Sequence, residues 1–243
     1  MELKDKIALV TGSARRIGRS IAISLGQAGA DVAIHYNRSA EQARQTAEAI
    51  RRLGRRAELF QADLAQPEQI AALFQAVGKA FSRLDVLVNN AAVYDRTPIE
   101  SLTAEQWDSE MAVNARAPAL CIAQAVPLMR QGGGAIVNIT DVSAEKPWPG
   151  YPAYCASKAA LLALTRSAAK ALAGYNIRVN AVAPGVADWH EGATEQEKAN
   201  VLAQVPMRRP GTPQDVAAAV VFLAAQDYIT GQCLRVDGGW CTF

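Results

Sequence analysis

Seven short apolar runs, separated by longer stretches of helical periodicity, constrain this chain to a parallel sheet wrapped by helices. The runs are Ile7 to Thr11, Asp31 to Tyr36, Ala57 to Gln61, Val86 to Asn89, Ala135 to Ile139, Arg178 to Ala183 and Cys233 to Val236. Most are apolar almost throughout, as strands covered on both faces should be, whereas strands with one wet face alternate. Between the first two runs, Ile17, Ile21 and Leu25 recur every fourth residue and make an apolar stripe over Ile17 to Ala28. The expected class is α/β, with helices on both faces of the sheet. No linker, low-complexity tract or internal repeat interrupts the series, so residues 1–243 are expected to form a single domain. The least regular stretch is 184–213, which holds Asp188, Trp189 and His190 and then a polar, helix-like run from Thr194 to Leu202. It follows the C-terminal end of a strand, the edge where open α/β sheets bind ligands. A movable substrate flap is expected there, with a plain surface excursion as the other reading.

Half of the residues are apolar and a fifth are charged, which suits a globular protein with a sizeable core. A net charge of +2, with basic residues beside acidic ones, argues for neither a nucleic-acid nor a membrane partner and leaves a small molecule. The charged start Met-Glu-Leu-Lys-Asp-Lys lacks the apolar region of a signal peptide, and no apolar run approaches the ~20 residues of a membrane span. A soluble, cytoplasmic protein is expected. Cys121, Cys155, Cys233 and Cys241 show no C-x-x-C or Cys/His spacing, so reduced thiols and no metal are expected.

The first run leads through Thr11-Gly12-Ser13-Ala14-Arg15-Arg16-Ile17-Gly18 directly into a helical pattern. Gly12 suits a tight turn and Gly18 close helix packing, while the helix start offers unpaired N–H groups and partial positive charge to a pyrophosphate. The second run ends in His35-Tyr36-Asn37-Arg38-Ser39, where an NAD site usually has a carboxylate for the ribose hydroxyls. Arg38 can pair with a 2′-phosphate, Asn37 and Ser39 can donate to it, and Arg15 adds a second cation. NADP(H) is therefore expected over NAD(H); the competing reading is that these arginines are solvated surface charges.

Tyr154 and Lys158 are four apart in a helical pattern and so share a face. A free Tyr titrates near ~10, and each unit of lowering needs ~1.4 kcal/mol. Lys158, with the charge of an oxidised nicotinamide, is expected to bring Tyr154 toward neutrality as a proton donor.

Together, Thr11-Gly12 with Gly18, Asn89-Asn90-Ala91, Asn114, Tyr154-x-x-x-Lys158, Pro184-Gly185 and Asp237-Gly238-Gly239 resemble the motifs of short-chain dehydrogenase/reductases, in order and over essentially the whole chain. The resemblance implies a Rossmann-type, doubly wound single domain, hydride transfer and a homotetramer. It also implies that Ile17, Tyr36, Asp63, Leu64, Asn90, Ala91, Pro184 and Gly185 line the cofactor with the residues above. Lys158 would hold the nicotinamide ribose, and Asn114 would fix a water behind the proton relay.

Two departures from the common pattern are informative. Arg16 stands where a glycine is usual, and Asp141 stands thirteen residues before Tyr154 where most members have Ser, with Ser143 offset by two. Both resemble pteridine reductases, with T-G-x-x-x-R-x-G and an Asp, Tyr and Lys site. Gly18-Arg19-Ser20-Ile21-Ala22, His35-Tyr36 with Arg38-Ser39, and Gly150-Tyr151 extend the similarity. It implies that Tyr94 stacks a pterin against the nicotinamide and that Arg16, Asp141 and Tyr154 face the substrate; Trp189 and His190 are further candidates for its pocket. The expected reaction is hydride transfer to a C=N carbon of an oxidised pterin of the dihydrobiopterin, dihydromonapterin or dihydrofolate type. Tyr154, Lys158 and Asp141 form the proton path, and either Tyr154 or Asp141 is the immediate donor. The alternatives are a carbonyl reductase for 3-oxoacyl carriers, sugars or steroids, and a non-catalytic NADP(H) sensor, which would need none of these groups.

Overall fold

The computed structural model describes residues 1–189 and 192–241. Its elements run β1 (Ile7–Val10), α1 (Arg16–Gln27), β2 (Asp31–Tyr36), α2 (Ala40–Arg52), β3 (Ala57–Gln61), α3 (Pro67–Phe81), β4 (Val86–Asn89), α4 (Ala104–Met111), α5 (Ala117–Met129), β5 (Gly134–Ile139), α6 (Pro152–Leu172), β6 (Ile177–Pro184), α7 (Glu195–Leu202), α8 (Pro213–Ala225) and β7 (Cys233–Val236). The strands form one sheet in the order β3-β2-β1-β4-β5-β6-β7, and every pairing is parallel. The order reverses between β1 and β4, whose register sets Leu9 beside Leu87 and Val10 beside Val88. A crevice at the carboxyl ends of these two strands is the consequence.

The sheet is covered on both faces, which is why its central strands are mostly apolar. Ala8 and Val10 point to a layer built from Ile21 and Leu25 of α1, Ile50 of α2 and Val216 and Val220 of α8. Leu9 points to the opposite layer, with Phe74 and Val77 of α3, Cys121 and Ala125 of α5 and Ala168 of α6. All residues of β1, β4, β5 and β6 are buried. The edge strands β3 and β7 are only partly covered, because each lacks a neighbour on one side.

β1 ends at Val10 rather than Thr11. The Thr11 hydroxyl instead accepts the backbone N–H groups of Asn90 and Ala91, at 2.9 and 3.0 Å, and clamps the turn to the end of β4. In the 184–213 stretch, α7 starts at a capping box between Thr194 and Glu197, matching the helix-like run. No helix among the described residues is long and apolar enough to cross a membrane. The four cysteines are free thiols.

Candidate active site at the carboxyl edge of the sheet

The glycine turn is built by close approach. Gly12 adopts φ +64, and a Cβ on Gly18 would lie 2.2 Å from the Gly12 carbonyl oxygen and 2.5 Å from Asn90 Nδ2. α1 can therefore sit directly on the turn, with Asn90 Nδ2 donating to the Thr11 and Gly12 carbonyls. Arg15, the residue capping α1, is extended and makes no side-chain cap, and no acid lies in the first turn beyond it, including at Ile17. N–H groups left uncapped at a helix start suit an anion, so the turn fits a nucleotide diphosphate.

His35 anchors this turn, a role the sequence reading missed. The Gly12 N–H donates to His35 Nδ1 at 3.0 Å, which leaves the Nε2 hydrogen for the Ala62 carbonyl at 3.1 Å. Burial pushes the imidazole down to about 4, so it stays neutral and can accept from Gly12. At the end of β2, Asn37 and Arg38 are exposed, and Tyr36 and Ser39 are half-buried. Neither Arg15 nor Arg38 has a carboxylate partner among the described residues, and no acid occupies 35–39. Asp63 accepts the Ala65 N–H and Leu64 is buried just after β3, while the Gly185 N–H donates to Val236 just beyond Pro184. These candidates thus lie after β1, β2, β3, β4 and β6, at one edge of the sheet.

Arg16, expected to face the substrate, pairs with the segment after β6. It adopts φ +53, a left-handed backbone that glycine takes readily. Its Nε donates to Asp188 Oδ2 at 2.6 Å and its Nη2 to the Trp189 carbonyl at 3.1 Å. The guanidinium therefore ties the nucleotide turn to the segment after β6. His190 lies outside the described residues.

On the other side of the crevice, Tyr154 projects from α6 and its hydroxyl donates to Asp141 Oδ2 at 3.0 Å. Asp141 Oδ1 accepts the Ser143 N–H at 2.7 Å, which fixes the carboxyl, while the Ser143 hydroxyl is buried without a partner. Lys158 Nζ donates to the Ile139 carbonyl at 2.9 Å and lies 5.5 Å from the Tyr154 ring centre. Burial lowers Lys158 to about 8 and raises Asp141 above the ordinary carboxylate range. Lys158 by itself does not lower Tyr154; the expectation joined it with the charge of an oxidised nicotinamide. Burial first, and the adjacent Asp141 second, raise Tyr154 well above a free phenol, because both disfavour a second negative charge.

Asn114 sits in a π-helical turn, Ala112–Arg116, a local widening that often marks a functional position. Its Oδ1 accepts the Val93 N–H at 2.9 Å, and its Nδ2 faces the Val93 carbonyl, Glu110 Oε2 and Ser157 Oγ at 2.9, 2.6 and 3.1 Å. The side chain expected to hold a water is thus committed to protein groups.

Aromatic rings pack around Tyr154. Tyr94 stacks on Tyr151 at 4.6 Å and meets Tyr154 edge-on at 4.7 Å, so one face of the ring expected to stack a ligand is occupied by Tyr151. Trp148 stacks on Tyr154 at 6.4 Å and on Trp240 at 5.9 Å. Sequence reasoning missed Trp148 and Trp240. The first carried only its nearness to Tyr154 as a signal, and the second, near the opposite end of the chain, carried none.

The family model for enoyl-(acyl carrier protein) reductase matches residues 12–241. The chain belongs to the short-chain dehydrogenase/reductase family. Against the 3-oxoacyl-[acyl-carrier-protein] reductase of Staphylococcus aureus it is 40% identical over 239 residues, covering 96% of this chain and 97% of that protein. A putative short-chain alcohol dehydrogenase from Sinorhizobium meliloti superposes with TM-score 0.95 at 36% identity, covering 99% of this chain and 98% of that one. The angucycline C-6 ketoreductase LanV, solved with bound NADP, gives TM-score 0.94 at 34% identity, covering 100% and 98%. Two of these three short-chain enzymes are named for carbonyl reduction and none for a pterin. This short-chain oxidoreductase therefore has family-typical architecture.

Proposed function

We propose that this short-chain enzyme uses NADP(H) to reduce a C=N bond in an oxidised pterin of the dihydrobiopterin, dihydromonapterin or dihydrofolate type. The carrying observation is the 3.0 Å bond from the Tyr154 hydroxyl to a carboxyl, that of Asp141. A ring nitrogen that gains a proton, beside an amino group that donates one, suits a donor and acceptor side by side, and a carboxyl whose affinity for protons is raised can fill either role. The flat aromatic surface of Tyr94, 42% exposed, suits a flat heterocycle.

NADP(H), when bound, supplies the hydride. Arg38 and Arg15 hold its 2′-phosphate, Asn37 and Ser39 donate to it, and the uncapped start of α1 takes the diphosphate. Lys158 holds the ribose and keeps positive charge beside Tyr154. Tyr154 and Asp141 share the proton that the substrate nitrogen receives, and net uptake of one proton from solvent balances the reduction.

A second reading is supported by the relatives, whose names favour it: an NADPH-dependent carbonyl reductase of the 3-oxoacyl carrier or sugar/steroid type. Under it, Tyr154 protonates a carbonyl oxygen and Asp141 merely orients Tyr154. Oxidation of NADPH with dihydrobiopterin, dihydrofolate and an acetoacetyl thioester, compared side by side, separates the two. Turnover of the pterins supports the first reading; turnover confined to the thioester overturns it in favour of the second.

A further inference from the structure

Glu110, on α4, is only 1% exposed, yet it reaches into the polar chain behind Tyr154 and Lys158. Its Oε1 accepts the Asp95 N–H at 2.8 Å and its Oε2 faces Asn114 Nδ2 at 2.6 Å. Val93 grips both ends of the Asn114 amide through its own N–H and carbonyl, which fixes Nδ2 toward Glu110 and Ser157. The Ser157 hydroxyl in turn donates to the Tyr154 carbonyl at 2.7 Å, one helical turn before Lys158 takes its own place on α6. Burying a carboxyl is costly, and an apolar residue would pack the same volume without that cost.

We propose that Glu110 is a positioning residue of this active site, the rear counter-charge that keeps Lys158 protonated and the anchor that orients Asn114. The charged and titratable groups acting on it are Asp95 from the preceding loop, Lys158 from α6 and, more weakly, Tyr154. Lys158 is a buried ammonium whose charge is favoured by two carboxyls, Asp141 first and Glu110 second, the latter held in the Asn114–Ser157 chain that runs beside it on α6. With both ionised, the buried site would carry a net negative charge, so low dielectric favours one shared proton on the carboxyls. A rear carboxylate lets Asp141 carry that proton at the substrate side. Burial pushes Glu110 up to about 7, so the rear carboxyl is ionised as a counter-charge above that pH, in the range where Lys158, at about 8, loses its proton.

The inference rests on the reading that Tyr154 and Lys158 are the reacting pair, and Tyr154→Phe tests that separately. NADPH oxidation with dihydrobiopterin and with an acetoacetyl thioester is followed against pH for the wild type, Glu110→Gln and Glu110→Asp. In Glu110→Gln the basic limb of kcat/KM is expected at least about one pH unit lower, since Lys158 loses its counter-charge. Glu110→Asp, which keeps the charge, is expected to hold the wild-type limb even if kcat falls. Equal loss of rate in both variants with unmoved limbs reduces Glu110 to a structural hydrogen bond and overturns the proposal. If Glu110→Gln does not fold, infrared titration of the wild type and of Asp141→Asn decides: a protonated-carboxyl band near pH 7 in the wild type that moves to lower pH in Asp141→Asn supports the proposal, and a band at the same pH in both sinks it. Turnover by Tyr154→Phe would instead bring down the underlying assignment.

Discussion

The Tyr154 hydroxyl and the Asp141 carboxyl meet at 3.0 Å across the gap between α6 and the end of β5. That contact separates this site from one built on Ser and Tyr, because a carboxyl can hold a proton or a charge where a hydroxyl holds neither as well. Asp141→Asn keeps the shape but removes the exchangeable proton. Steady-state rates with dihydrobiopterin are expected to fall by about 10² or more in kcat. Asp141→Ser is expected to lose pterin turnover likewise, and full pterin turnover by it would remove the reason for separating this chain from ordinary ketoreductases.

Arg38 stands exposed beyond β2 without an acidic partner among the described residues. Arg38→Ala is expected to raise KM for NADPH by about tenfold or more, the worth of one charge-assisted contact. KM for NADH should change little. Equal KM values for the two cofactors in the wild type would defeat the phosphate-pocket assignment.

His35 gives stability a pH dependence. Its imidazole is held at about 4 when folded, against 6.5 when free, so the unfolded chain binds the extra proton first. The stabilisation is complete above pH 6.5 and is lost as pH falls toward 4, up to about 3 kcal/mol from this group. Urea midpoints measured at several pH values should fall through that window. His35→Asn, measured the same way, should flatten that part of the profile.

Arg16 holds a left-handed backbone at φ +53 while bonding Asp188. Arg16→Gly relieves a strain of about 1 kcal/mol and gives back a similar amount in chain entropy, so Tm should barely move. The tie to Asp188 and Trp189 is lost, however. Limited proteolysis within 184–213 is expected to speed up and KM for substrate to rise. Unchanged cleavage and unchanged KM would show that the clasp does not hold this segment.

Several parts were legible early because they depend on near neighbours in sequence. The strand runs matched to within a residue or so, since burial on both faces of a sheet leaves an apolar signature that needs no partner to read. Gly12, Gly18 and the pair Tyr154 and Lys158 were legible for the same reason: turn conformation and helix periodicity are local properties. Glu110 and His35 were not, because Glu110 stands among polar neighbours like a surface residue, and the distant groups that each of the two meets are set by the fold.

What the chain's residue order determined by itself was the βαβ succession, the phosphate-type turn and the shared helix face of Tyr154 and Lys158. Tertiary structure alone decided that Arg16 pairs with Asp188, 172 residues away, and that Trp240 stacks on Trp148. It also decided that burial and the adjacent Asp141 push Tyr154 up from the ordinary phenol value. The physical reason is that backbone propensity acts over a few residues, whereas ion pairing, ring stacking and desolvation depend on which distant segments the sheet order brings to one edge.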